Sequence, residues 1–386
     1  MEDVGPVRNG YVAADGGRIL DAGRMDQLPR EWRDAREVYG ARGQSVLPGL
    51  VDPHTHVVHA GDRTGEFRER LAGTSYAEIG RRGGGILATV AATRAASAAD
   101  LVASAQPRLR RMLTTGTTTV EAKSGYGLCT VDELKMLEAV QSLAEQPVEL
   151  VATFMGGHEV PPEYSEFPGR YATLVADEMT PAAALQGIAR FCDVFCEAGV
   201  FDVAQAGQML RAGKAAGLVP RIHADELAAG GGAELAAALG ARTADHLVHV
   251  SERGIQAMAG AGVMGVLLPG TSFCLGLEPA PASRMVAAGV PVALATDCNP
   301  GSCPIESMAV IIGLACRLYG FTPEAAICAA TLNAAWALDL HDRIGSLEPG
   351  KQADLVAIAD PDPAAIPYRF GSNLVAALWK RGRRVV

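Results

Sequence analysis

The chain has 386 residues, with 34 Lys and Arg against 43 Asp and Glu, for a net charge of −9. Hydrophobic residues make up 49% and charged residues 20%, a globular balance that excludes a disordered chain, and the acidic excess argues against a nucleic-acid or anionic-membrane partner. At about 150 residues per domain the length predicts two to three domains, or one α/β barrel of about 250 residues with a small companion.

The first 44 residues carry scattered Gly, Asp and Arg with short strand-like pieces at Gly10–Ala14, Arg18–Ala22 and Glu37–Gly40. Eight apolar runs then read as buried strands: Ser45–Asp52, Thr117–Lys123, Val148–Met155, Cys192–Glu197, Val219–His223, Thr243–His246, Val263–Leu268 and Val290–Thr296. Between them lie helical stretches at Ala98–Leu113, Val131–Glu145, Val203–Ala216, Ala233–Leu239, Ser251–Ala259 and Ile305–Tyr319. Thr130 and Glu133 have the spacing of a capping box. Eight strand–helix units predict a (β/α)8 barrel. A doubly wound sheet is the alternative, but its phosphate fingerprint is missing: Gly83–Gly85 lacks a following G-K-[ST] and reads as a loop or a tight helix start. Residues 344–386 are again β-like, with a hairpin turn at Arg381-Gly382-Arg383-Arg384, and the basic cluster of Lys380, Arg381, Arg383 and Arg384 reads as a solvated hairpin. The two ends are expected to pair, giving a small discontinuous β-sandwich domain (1–48 with 344–386) beside a barrel (49–343).

The eight cysteines form no C-x-x-C pair, the N-terminus lacks an apolar leader, and the apolar runs are strand-length. The expectation is a cytoplasmic protein with reduced thiols and no membrane span.

Chemistry concentrates at the strand ends, which share one face of a barrel. Pro53-His54-Thr55-His56 ends the first run, and side chains two apart on a strand point the same way, so His54 and His56 can grip one ion. His223 ends the fifth run, in His223-Ala224-Asp225-Glu226. Asp297 ends the eighth, in Ala295-Thr296-Asp297, where an unpaired buried carboxylate would be expensive. Three His and one Asp with an open position suit a catalytic Zn²⁺ or a similar divalent ion. His246 ends the sixth run and can polarise a carbonyl opposite the metal. His59 and His249 read as loop residues.

The stretches PGLVDPHTH, HADE, DH and ATD at these ends resemble the amidohydrolase superfamily. More narrowly, K-S-G-Y-G from Lys123 and D-C-N-P-G-S from Asp297 resemble the imidazolonepropionase family. That resemblance implies one zinc or iron ion on His54, His56, His223 and Asp297. It implies Arg63 on the carboxylate of 4-imidazolone-5-propanoate, Tyr126 and His158 lining the ring pocket, and Asn299, Gly301 and Ser302 as a substrate-contacting turn. Glu226 becomes an acid–base and substrate-binding carboxylate beside the catalytic His246 and Asp297, and relatives imply a homodimer. The fourth run has no Lys to bridge two metals, which favours one ion. Rival readings are a deaminase or other cyclic amide hydrolase on the same barrel, or a metal-free binding paralogue. The segment Asp62–Gly85 is a candidate lid loop.

Overall fold

A computed structural model describes residues 4–74, 76–144 and 146–386. Glu145, at the end of one expected helix, lies outside them, as do residues 1–3 of the expected small domain.

The N-terminal hairpin joins β1 (Gly10–Asp15) to β2 (Arg18–Arg24). The piece Glu37–Gly40 forms no strand. The expected first barrel strand divides in two, β3 (Ser45–Pro48) and β4 (Leu50–Asp52). Pro48 cannot donate to a ladder, and a Cβ on Gly49 would lie 2.4 Å from the Thr118 side chain. The break lets β3 leave the barrel while β4 stays in it.

The barrel continues through β5 (Thr117–Lys123), β6 (Glu149–Gly157), β7 (Phe191–Cys196), β8 (Val219–Ala224), β9 (Thr243–His246), β10 (Met264–Leu267) and β11 (Val292–Leu294). From β4 to β11 every neighbour is parallel and in chain order, the (β/α)8 arrangement. β12 (Leu355–Ile358), β13 (Val375–Lys380) and β14 (Arg383–Arg384) then form an antiparallel sheet with β3, so residues from both ends of the chain do pair. Arg381 and Gly382 make the hairpin turn, both at positive φ. Lys380 is not solvated as expected. It is buried, with Nζ 2.6 Å from Asp354 and 3.1 Å from Glu149.

The seam between β11 and β4 closes at the upper rim. The Asp297 amide donates to the His54 carbonyl (3.0 Å), and the His56 amide to the Cys298 carbonyl (2.9 Å). Just below, Asp52 accepts from the Thr296 amide and hydroxyl.

Strand periodicity sorts the barrel interior into layers. Phe191, Asp193 and Phe195 share a face of β7, Val219, Arg221 and His223 of β8, and Ala293, Ala295 and Asp297 of the last strand and its extension. The bottom layer is apolar, with Val51, Phe191, Met264, Val266 and Ala293 closed beneath by Leu338 and Ile344. The middle layer is charged. The top layer holds the histidines.

Most helices fall near their expected places, with ends moved by a few residues. Glu133 does not close a capping box with Thr130, since the helix Thr130–Ser142 lacks a side-chain cap. Its buried carboxylate instead accepts from the amides of Gly125, Gly127 and Leu128 at 2.8 Å each. The segment expected as a lid loop is largely helical, with Thr64–Leu71 and Tyr76–Arg81. Gly85, at φ 72°, starts the helix Ile86–Ala95, which bears out the tight helix start.

Candidate active site

His54 and His56 follow β4, His223 lies on β8, His246 ends β9 and Asp297 follows β11. All five are at most 3% exposed. The ligand-capable atoms of His54, His56 and Asp297 lie within 4.8 Å of one another, as do those of His54, His223 and His246. His54 is common to both trios. Its Nε2 is 3.5 Å from Asp297 Oδ1, and His56 Nε2 is 3.7 Å from the same oxygen.

Carboxylates beneath set the tautomers. His54 Nδ1 donates to Asp245 at 2.6 Å, and His223 Nδ1 to Asp193 at 3.1 Å. A carboxylate only accepts, so each Nε2 lone pair faces the cluster. Both Nε2 atoms are buried with no hydrogen-bond partner. An orphaned buried polar atom is costly, and a metal ion satisfies both. Burial holds His54, His56 and His246 well below the usual imidazole range, so they are neutral and able to ligate. The donor set therefore fits one divalent ion.

The middle layer supports this arrangement. Lys123 Nζ sits 2.7 Å from both Glu121 and Asp193. Arg221 donates to Asp245 at 3.1 Å and to the Pro53 carbonyl at 2.7 Å. Burial opposes charge on Asp193, yet His223 and Lys123 hold its carboxyl well below the ordinary range. Three carboxylates face two cations here, and Asp297 lies above. Such a surplus of negative charge attracts a cation. Asp193, Asp245, Glu121 and Arg221 went unread in the sequence. Their signal was a charged side chain at alternate positions of an otherwise apolar strand.

Asp225, His246, Leu247 and Asp297 all have positive φ, between 51° and 73°. Non-glycine residues in this region are held there by surrounding structure. Asp225 does so by accepting from the amides of Gly230, Gly231 and Ala233, which anchors the chain after β8. Glu226 is next. Its amide and that of Leu227 donate to Glu197, and its Oε2 lies 3.5 Å from His246 Nε2. Burial, then the charges of Asp297 and Glu197, push the Glu226 carboxyl well above its ordinary range. Burial raises Asp297 to about 6 despite a 2.6 Å bond from Thr271.

The other expected residues ring this centre. His158 stacks on His56 at 4.7 Å, and its Nδ1 donates to the Gly125 carbonyl. Burial draws it down to about 3. Tyr126 is buried, with its ring 5.2 Å from His158. Asn299 donates to the Asp297 carbonyl and Ser302 Oγ, and accepts from the amides of Gly301 and Ser302. It therefore shapes the turn that carries Gly301 and Ser302. Arg63 lies against that turn, 9% exposed, paired to Glu66. His59 is buried beside Arg108, 6.2 Å from the Tyr126 ring and outside both trios. No helix among the described residues is long and apolar enough to cross a membrane.

A family model described as the amidohydrolase family matches residues 69–386. The imidazolonepropionase of Geobacillus kaustophilus (strain HTA426) is 51% identical, over 100% of this chain and 92% of its own length. That of Symbiobacterium thermophilum is 50% identical at the same coverage. A solved Xaa-Pro dipeptidase superposes with a TM-score of 0.70 at 17% identity, over 97% of this chain and 94% of its own. The 5-methylcytosine deaminase of Klebsiella pneumoniae does so at 0.71 and 17%, with the same coverage. At such identity the two structures share the fold alone.

Proposed function

The chain belongs to the amidohydrolase family and, within it, to the imidazolonepropionases, and from that premise we propose that it hydrolyses the ring of 4-imidazolone-5-propanoate to N-formimidoyl-L-glutamate in histidine degradation. The observation that carries the chemistry is the pair of buried, unpartnered Nε2 atoms on His54 and His223, each aimed by a carboxylate behind it.

His54, His56, His223 and Asp297 would hold one ion, zinc or iron. When bound, such an ion makes water acidic enough to supply hydroxide near neutral pH and polarises a carbonyl. Two features support a single ion. The inward positions of β7 carry Asp193 and no Lys, and the Lys123 ammonium is engaged by Glu121 and Asp193.

The chain's own residues then divide the work. Arg63 receives the propionate carboxylate, and Tyr126 and His158 flank the ring. Asp297 or Glu226 accepts the proton of the attacking water. His246 donates toward the carbonyl oxygen as charge builds there. Water oxygen bonds to the ring carbonyl carbon, the carbon–nitrogen bond breaks, and Glu226 delivers the proton to the departing nitrogen. The turn of Asn299, Gly301 and Ser302 contacts the substrate. A cytoplasmic homodimer completes the proposal, with a terminal unit of 1–48 and 344–386 beside a barrel of 49–343. All eight cysteines are free thiols, which fits a reducing compartment.

A spectrophotometric assay with 4-imidazolone-5-propanoate tests the activity. Turnover is expected to vanish with a chelator and return with zinc or iron. His223→Ala should lose bound metal and activity together. Retained turnover in metal-free His223→Ala protein would overturn the assignment.

A further inference from the structure

Arg63 is held from two sides by residues to which no role has yet been given or only a contact role. Its Nε donates to Glu66 Oε2 at 2.7 Å, one turn along the same helix. The other Glu66 oxygen accepts from the Gly85 amide at 2.9 Å. Gly84 makes that approach feasible, since a Cβ there would lie 3.1 Å from Glu66 Oε1 and 2.9 Å from the Ile79 carbonyl. The Gly85 amide, reached past Gly84, thus holds one oxygen of this carboxylate. On the opposite side, a Cβ on Gly301 would lie 2.0 Å from Arg63 Nη1 and 2.8 Å from Cζ. Gly301 is tied through Asn299 to the Asp297 carbonyl.

We propose that Glu66 is a positioning residue and Gly301 a steric stop, and that together they fix the guanidinium plane of Arg63 at a set distance from the metal cluster. The proposal rests on Arg63 receiving the substrate carboxylate. A long arginine side chain carries large rotamer freedom, and a pair that removes it before substrate arrives lowers the cost of binding. Glu66 takes the Nε–H, and the place at which the guanidinium is held relative to Asp297 then selects the length of the arm between carboxylate and ring. The clamp thereby makes the site specific for a two-methylene arm and discriminates against an acetate side chain.

The test compares Arg63→Ala, Glu66→Gln and Gly301→Ala. Each is assayed with the propionate substrate and with its analogue one methylene shorter, with bound metal and melting temperature measured alongside. Glu66→Gln is expected to raise KM about tenfold or more while kcat stays within about threefold, and to narrow the preference for the longer arm. Gly301→Ala should do the same by displacing the guanidinium, and it serves if Glu66→Gln does not fold. If Arg63→Ala leaves KM unchanged, the carboxylate role of Arg63 fails. If Arg63→Ala raises KM but neither other folded variant moves KM or the preference, the clamp is overturned.

Discussion

Glu226 and Asp297 are two carboxyls a short distance apart whose surroundings assign them different work. Asp297 shares its Oδ1 with the approach of His54 and His56 and takes a hydroxyl bond on Oδ2. Glu226 has a single ring nitrogen near it among the described residues, the His246 Nε2 at 3.5 Å. It faces His246 from a backbone pinned by Glu197, and burial with two neighbouring carboxylates raises its affinity for a proton, which suits a group that takes one up and passes it on. A ligand and a proton carrier separate on this basis. Glu226→Gln should therefore keep a full complement of metal and lose about 10²–10⁴-fold in kcat, the usual worth of a positioned acid–base group. Metal per chain and kcat check this together. A Gln variant within tenfold of wild type would move the proton traffic to Asp297.

At the scale of elements, the loop after β5 shows how a buried charge can stand in for regular structure. Gly125–Leu128 carries Tyr126 into the site, and Leu128 sits at φ 50°. Three of its amides end on Glu133. Glu133→Gln replaces one acceptor with a donor facing amides that also donate. The expected cost is about 1–3 kcal/mol in urea unfolding, with a rise in KM as Tyr126 loosens. An unchanged KM in a destabilised variant would separate the loop's order from substrate binding. The same loop marks the limit of sequence reading. The spacing of Thr130 and Glu133 is that of a capping box, and only the folded loop reveals that Glu133 turns the other way. The strand ends were legible because H-x-H, HADE and ATD follow apolar runs whose period puts them on one rim. The division at Gly49 was not, because it depends on Thr118, 69 residues further along the chain. Nor were the roles of Asp193 and Asp245, since a partner on another strand gives each its meaning.

Across the whole molecule, one ion cluster ties the barrel to the antiparallel sheet that the chain ends share. Glu149 opens β6 at the barrel's lower end. It accepts from Lys380 (3.1 Å), Arg381 (3.2 Å) and Arg343 (3.2 Å), all from the C-terminal part of the chain. Burial works against its charge, but Lys380, Arg343 and Arg381 outweigh it and hold the carboxyl at about 2 against an ordinary 4.5. A carboxylate lowered in this way stabilises the fold above its unfolded value and loses that contribution as pH falls toward the folded one. From 4.5 to about 2 the full contribution is roughly 3 kcal/mol, fading by about 1.4 kcal/mol for each pH unit below 4.5. Glu149→Gln should thus be less stable than wild type by a constant margin from pH 8 to 5, and the margin should shrink as pH drops to 3.5. Parallel urea unfolding at pH 7, 4.5 and 3.5 measures it. A margin that stays level to pH 3.5 would mean Glu149 acts through packing and not through its charge. Because the site lies at the opposite rim, kcat and bound metal at pH 7 should remain near wild type, making this variant a probe of the attachment between sheet and barrel that leaves the chemistry alone.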